Sequence, residues 1–134
     1  MANNGLPLPA VNAESQAFWD AATDGRLVLQ RCGDCAALRF PPRATCPSCG
    51  SDAVTIETAS GRGTIFTFTV NHRAPTPAFK AIAPYVIALV DLAEGPRLMM
   101  NVVDCEPADV EIGAAVQIVF EPRGDLKLPQ ARLA

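Results

Sequence analysis

Histidine occurs once in this chain, at His72, and no G-x-S-x-G stretch, phosphate-cradling glycine loop or paired-carboxylate pattern accompanies it. General acid–base catalysis needs a positioned proton carrier with a partner, so the sequence offers no self-sufficient catalytic constellation. Aromatic residues are scarce, at 6%, and cations do not predominate: 11 Lys and Arg face 14 Asp and Glu, for a net charge of −3. A single-strand nucleic-acid groove interleaves basic side chains with stacking rings; this composition argues against such a partner. No apolar run approaches the roughly 20 residues of a membrane-crossing helix, so no membrane span is expected. The opening decapeptide, MANNGLPLPA, has neither the basic start nor the apolar stretch of a secretory signal. A short disordered lead and a cytoplasmic protein are the expectations.

Cysteine is where the chain is rich. Four of its 5 cysteines lie in RCGDCAALRFPPRATCPSCG, residues 31–50, as two Cys-x-x-Cys pairs separated by ten residues. Each pair offers two sulfurs on a tight turn, and four thiolates from two such turns suit the tetrahedral preference of zinc. Cys32, Cys35, Cys46 and Cys49 are the expected ligands. Pro47 stiffens the second turn, and Gly50 can adopt the left-handed backbone that such a turn commonly needs. Two rivals are weaker. Disulfides would leave one cysteine over and suit an exported chain, and iron would also accept thiolates, although nothing else in the sequence asks for redox chemistry. With four thiolates no coordination position is left for water or substrate, so a structural Zn2+ is expected. The fifth cysteine, Cys105, reads as a buried, inert thiol.

Around this segment the pattern is mainly β. Asn12 can cap a short helix over AESQAFWDAATDG, closed by Gly25. RLVLQRC alternates as a strand leading into the first cysteine pair, and the prolines of RFPPRAT make that limb an edge or connector. Five runs then read as strands: AVTIET, GTIFTFTVN, YVIALVDL, RLMMNVV and AAVQIVFE. Closing five strands into a barrel removes exposed edges. The expected architecture is an N-terminal tail and helix over residues 1–25, a zinc ribbon over 26–52 and a five-stranded OB-fold barrel over 53–134. The long segment HRAPTPAFKAIAP between two barrel strands is expected to be a functional or mobile loop.

The aromatic helix with its QRC lead into the ribbon, the FPPR before CPSCG, and the strand runs SGRGTIFTFTVNHR, PYVIALVDLAEGPRL and IGAAVQIVFE together resemble the DUF35 family. The resemblance runs from about residue 15 to 121. It implies a rubredoxin-like zinc ribbon followed by an OB-fold, and a thiolase-superfamily enzyme as partner: a thiolase or an aldolase that cleaves steroid side chains in lipid metabolism. In such complexes the OB-fold protein resembles a scaffold and acyl-CoA conduit, while the partner subunit holds the catalytic residues. The four cysteines carry over as zinc ligands; Ala36 departs from the glycine that often follows the second one. No short CoA motif can be matched. Chemistry nominates Arg39, Arg43, His72, Arg73 and Lys80 for phosphate groups, and Phe79, Ile82 and Tyr85 for an apolar wall. Phe18, Trp19, Phe40, Pro41 and Pro42 are candidate anchors for the partner enzyme. A zinc-ribbon and OB-fold module for nucleic acid is the alternative reading.

Overall fold

Residues 5–134 are described by a computed structural model of the chain. The first four residues of the expected disordered lead lie outside the described residues. Leu6 is buried, and the Pro7 carbonyl accepts a hydrogen bond from Arg123 Nη1 at 3.4 Å, so this part of the lead packs against the body of the protein. Helix α1 spans Gln16–Thr23. Asn12 Oδ1 accepts from the Ser15 amide at 2.9 Å and the Asn12 amide donates to Ser15 Oγ at 3.1 Å, so Asn12 closes a turn ahead of the helix and does not cap it; the N-cap is Ser15, whose side chain makes no cap bond. Its C-terminus closes as expected: Gly25, at φ 81°, donates to the Ala22 carbonyl and Arg26 to the Ala21 carbonyl, the paired bonds that a left-handed glycine makes possible.

The ribbon is a three-stranded sheet ordered β2-β1-β3, from β1 (Val28–Cys32), β2 (Leu38–Arg39) and β3 (Val54–Thr58). The two prolines after β2 leave it a short edge strand. Strand β1 departs from the expected half-buried alternation: Leu27, Val28, Leu29 and Gln30 are all buried, because both its faces are covered. A second correction concerns AVTIET, expected to open the barrel. It pairs antiparallel along all of β1, from Val28↔Thr58 to Cys32↔Val54, and is the ribbon's third strand.

The barrel still closes with five strands, in the order β4-β5-β6-β8-β7: β4 (Arg62–Asn71), β5 (Tyr85–Leu92), β6 (Arg97–Val103), β7 (Ala115–Arg123) and β8 (Leu126–Leu133). The fifth is LKLPQARL, which is not among the five expected runs and carries an internal proline, a residue uncommon inside a strand. Pro129 is tolerated there because β8 meets β6 only from Ala131 onward, at Val102↔Ala131 and Val103↔Arg132. Strand β5 buries every second residue, and Val86, Ala88, Val90 and Leu92 meet Leu98, Met100 and Val102 of β6 in the barrel interior. Gly63 lies where β4 is flanked by both β5 and β7; a Cβ there would stand 2.8 Å from the Asp91 carbonyl oxygen. A bulge between Ile65 and Thr67 turns Phe66 outward, where the Arg97 guanidinium lies 3.4 Å from its ring centre. The long loop after β4 holds one helical turn, α2 (Pro77–Lys80).

Candidate metal centre and ligand groove

The two knuckles bring four sulfurs together at one end of the ribbon. All four Sγ atoms lie within 4.8 Å of one another, with Cys32 to Cys49 at 3.5 Å and Cys35 to Cys46 at 3.7 Å. Thiolates about 2.3 Å from a common tetrahedral ion stand about 3.8 Å apart, so the sulfur set fits zinc. The knuckles are built alike. The Ala36 amide donates to the Cys32 carbonyl at 3.1 Å and the Gly50 amide to the Cys46 carbonyl at 2.8 Å. Both closing residues are left-handed, at φ 65° for Ala36 and 78° for Gly50. The amides of Cys35 and Asp34 approach Cys32 Sγ at 3.4 Å and lower its pKa to about 6; those of Cys49 and Ser48 lower Cys46 in the same way. Amide donors stabilise the thiolate, which is the form that binds metal. No ligating position is left over for chemistry.

From this end the ribbon reaches toward helix α1 and the barrel. Gln30 Oε1 accepts both Arg39 Nε, at 3.0 Å, and the Arg43 amide, at 2.9 Å. Glu14 Oε2 accepts the Ala44 amide at 2.6 Å. These bonds pin the Phe40–Arg43 limb. Arg39 is buried in it, and its Nη1 has no protein partner; a neighbouring void of about 20 Å³ is large enough for one water. Arg43 is exposed and donates to the Pro42 carbonyl. Neither arginine lies with the other basic candidates.

The ring of Phe40 meets Phe18 at 5.1 Å between centres, and Phe18 meets Trp19 at 4.9 Å. Phe18 is buried, so it is a core residue first; Trp19 and Phe40 remain partly open. Together they form one wall of a cavity of about 450 Å³. Phe79 of α2 and Tyr85 of β5, whose ring centres are 5.4 Å apart, line the same cavity, as do Ile87, Met99 and Leu128. Three candidate partner anchors, Phe18, Trp19 and Phe40, thus share one groove with the candidate acyl contacts Phe79 and Tyr85, whereas Pro41 and Pro42 do not line it. Ile82 does not either: it lines a separate cavity of about 430 Å³ that also holds Cys105. Burial, then the negative charges of Asp109, Glu106 and Asp104, push the Cys105 thiol up, as for an inert sulfur. His72, Arg73 and Lys80, with Ala74 and Ala83, surround a third cavity of about 600 Å³.

Sequence reasoning missed a polar cluster between the first two cavities. Asn101, Gln130, Glu121 and Arg123 come from β6, β8 and β7. Gln130 Oε1 accepts the Asn101 amide at 2.8 Å and its Nε2 donates to Glu121 Oε1 at 3.2 Å, which also takes Arg123 Nη2 at 3.0 Å. Arg123 is 7% exposed and borders both cavities. No local pattern announces this set, because only barrel closure assembles it. Among the described residues, no helix is long and apolar enough to cross a membrane.

Comparison with known proteins agrees with this geometry. Residues 19–55 match the family model described as "ChsH2, rubredoxin-like zinc ribbon domain" and residues 57–121 the one described as "ChsH2, C-terminal OB-fold domain". A "Probable enoyl-CoA hydratase alpha subunit" of Thermomonospora curvata is 45% identical over 130 residues, which are 96% of this chain but only 40% of that protein. A "DUF35 domain-containing scaffold protein" of Methanocaldococcus jannaschii is 43% identical over 70% of this chain and 67% of its own length. The solved structure titled "Ltp2-ChsH2(DUF35) aldolase" superposes with a TM-score of 0.85 at 42% identity, covering 94% of this chain and 98% of that one. With its four-cysteine ribbon leading into a closed five-stranded barrel, the chain belongs to the DUF35 family.

Proposed function

We propose that this chain is a non-catalytic, zinc-binding OB-fold subunit that complexes with a thiolase-superfamily enzyme, a thiolase or a side-chain-cleaving aldolase, and supports the binding or transfer of acyl-CoA. The observation that carries this reading is the groove between Trp19, Phe40, Phe79 and Tyr85 with its basic neighbour. An apolar cleft with a few convergent polar groups is how proteins hold small ligands, and no nucleophile–base pair stands among its lining residues. The likeness over nearly the whole length of a chain titled as part of an Ltp2–ChsH2 aldolase supports an enzyme partner.

In this reading the ribbon and helix hold the groove open, and the zinc ion supplies only rigidity to the knuckles. The basic loop attracts the phosphates, and the aromatic walls exclude water from the thioester's tail. The chemical step belongs to the partner. Affinity purification of the full chain from its native source tests this: a thiolase-like subunit is expected in stoichiometric amount, and acyl-CoA should bind the assembled complex more tightly than the partner alone. Recovery of the chain by itself, with no affinity for acyl-CoA, overturns the reading.

A further inference from the structure

Helix α2 is a single turn with a different cavity on each side. Phe79 lines the apolar groove, and the next residue, Lys80, lines the basic cavity; ahead of the helix, Pro75 lines the groove and Ala74 the basic cavity. Every titratable side chain bordering the basic cavity is cationic or can become so: His72, Arg73 and Lys80. The groove is the opposite in character, since its lining is mostly aromatic and aliphatic and its polar side chains include the cluster of Asn101, Gln130 and Arg123. Gln130 bonds Asn101 and Glu121, and Arg123 bonds Glu121 and the Pro7 carbonyl, so these groups already have partners.

From this juxtaposition we infer that α2 divides the ligand: the phosphate-bearing head of an acyl-CoA lies on the His72–Arg73–Lys80 side and its apolar acyl tail lies in the groove against Trp19, Phe40 and Phe79. This rests on the acyl-CoA reading above and adds that the protein itself selects for tail size. Phosphate oxygens suit the forked donors of an arginine. An apolar tail gains free energy in proportion to the surface it removes from water. A head alone should then bind through charge, and a two-carbon acyl group should add little. Phe18, Trp19 and Phe40, nominated from the sequence as anchors for a protein partner, become part of the tail site.

The chain contains one tryptophan, and it lines the groove, so its emission reports the tail directly. The full-length protein is titrated with coenzyme A, acetyl-CoA and decanoyl-CoA, following Trp19 emission and, in parallel, heat. Decanoyl-CoA is expected to shift the emission and bind roughly tenfold or more tighter than acetyl-CoA, while coenzyme A binds with heat but leaves the emission unchanged. Phe79→Ala should remove most of the decanoyl advantage and leave coenzyme A binding intact. Arg73→Ala with Lys80→Ala should weaken all three ligands and flatten their salt dependence. Equal affinity for the three ligands, with Trp19 silent, overturns the division while leaving the acyl-CoA reading standing. Absence of heat with every thioester, for the chain and for its complex, overturns both.

Discussion

The ribbon and the barrel are neighbours of similar strand chemistry that reach stability by different routes. The barrel encloses Ile65, Val86, Val90, Leu98, Val116 and Ile118, all nearly or fully buried. Its fold is written in apolar side chains that leave water. The ribbon leaves Val54 and Ile56 of its third strand 39% and 48% exposed, and its distal end is a loop pair with no apolar interior at all. There the four sulfurs replace a core. With Leu27 just before it, strand β1 shares the barrel's core through Val28 and Leu29, so it is the knuckle end that cannot bury enough surface to offset the entropy of ordering its chain, and metal coordination would close that deficit.

The largest effect expected from this contrast is on metal removal. Zinc modules derive on the order of 10 kcal/mol of apparent folding free energy from the ion, so chelation should abolish amide protection in the two knuckles, lower it across β1 to β3 and leave β4 to β8 protected. Hydrogen exchange with and without chelator reads this out; simultaneous loss in both regions would make ribbon and barrel one cooperative unit. Core truncations come next and separate the shared from the separate. Phe18→Ala, at the junction of helix and ribbon limb, should cost about 3–5 kcal/mol, and Ile65→Ala, inside the barrel, about 2–5 kcal/mol. Denaturant unfolding should show both losses, but only Phe18→Ala should also weaken zinc binding, because Phe18 packs on the Phe40 limb. The smallest change compares the knuckles with each other. Ala36 occupies the left-handed position that Gly50 fills in the second turn. Ala36→Gly should relieve about 1 kcal/mol of backbone cost and raise zinc affinity in a chelator competition, whereas Gly50→Ala should lower it.

The metal site was legible because its information is local. Two cysteines three positions apart on a tight turn specify half a site wherever the turn occurs, and the structure needs only to bring two such turns together. Strand content was legible for the same reason, through alternation and β-branched residues. Membership was not. The segment of β3 reads like any strand, and only the open edge of β1 decides that it completes the ribbon. Strand β8 carries Pro129 in its middle, opposite Phe120 of β7, at a point where β6 has not yet joined the other side. The burial of Arg39 was equally invisible. An arginine beside two prolines looks solvated until Gln30, nine residues earlier, is placed across the strand pair from it.

The groove marks the same boundary for function. Its lining comes from α1, the ribbon limb, the α2 loop and four barrel strands, so no stretch of sequence contains it. What the sequence by itself determined was the kind of parts: a four-thiolate knuckle pair, a short aromatic helix, alternating strands and a proline-broken loop with its cations, all set by spacings of a few residues. What the tertiary structure decided was where those parts face. Barrel closure gathered Asn101, Gln130, Glu121 and Arg123, and packing of α1 against β8, with Phe40 of the ribbon limb against Phe18, brought Trp19 and Phe40 into one groove with Phe79 and Tyr85. Such contacts join residues tens of positions apart, and their energy comes from burying surfaces that exist only once the chain has folded.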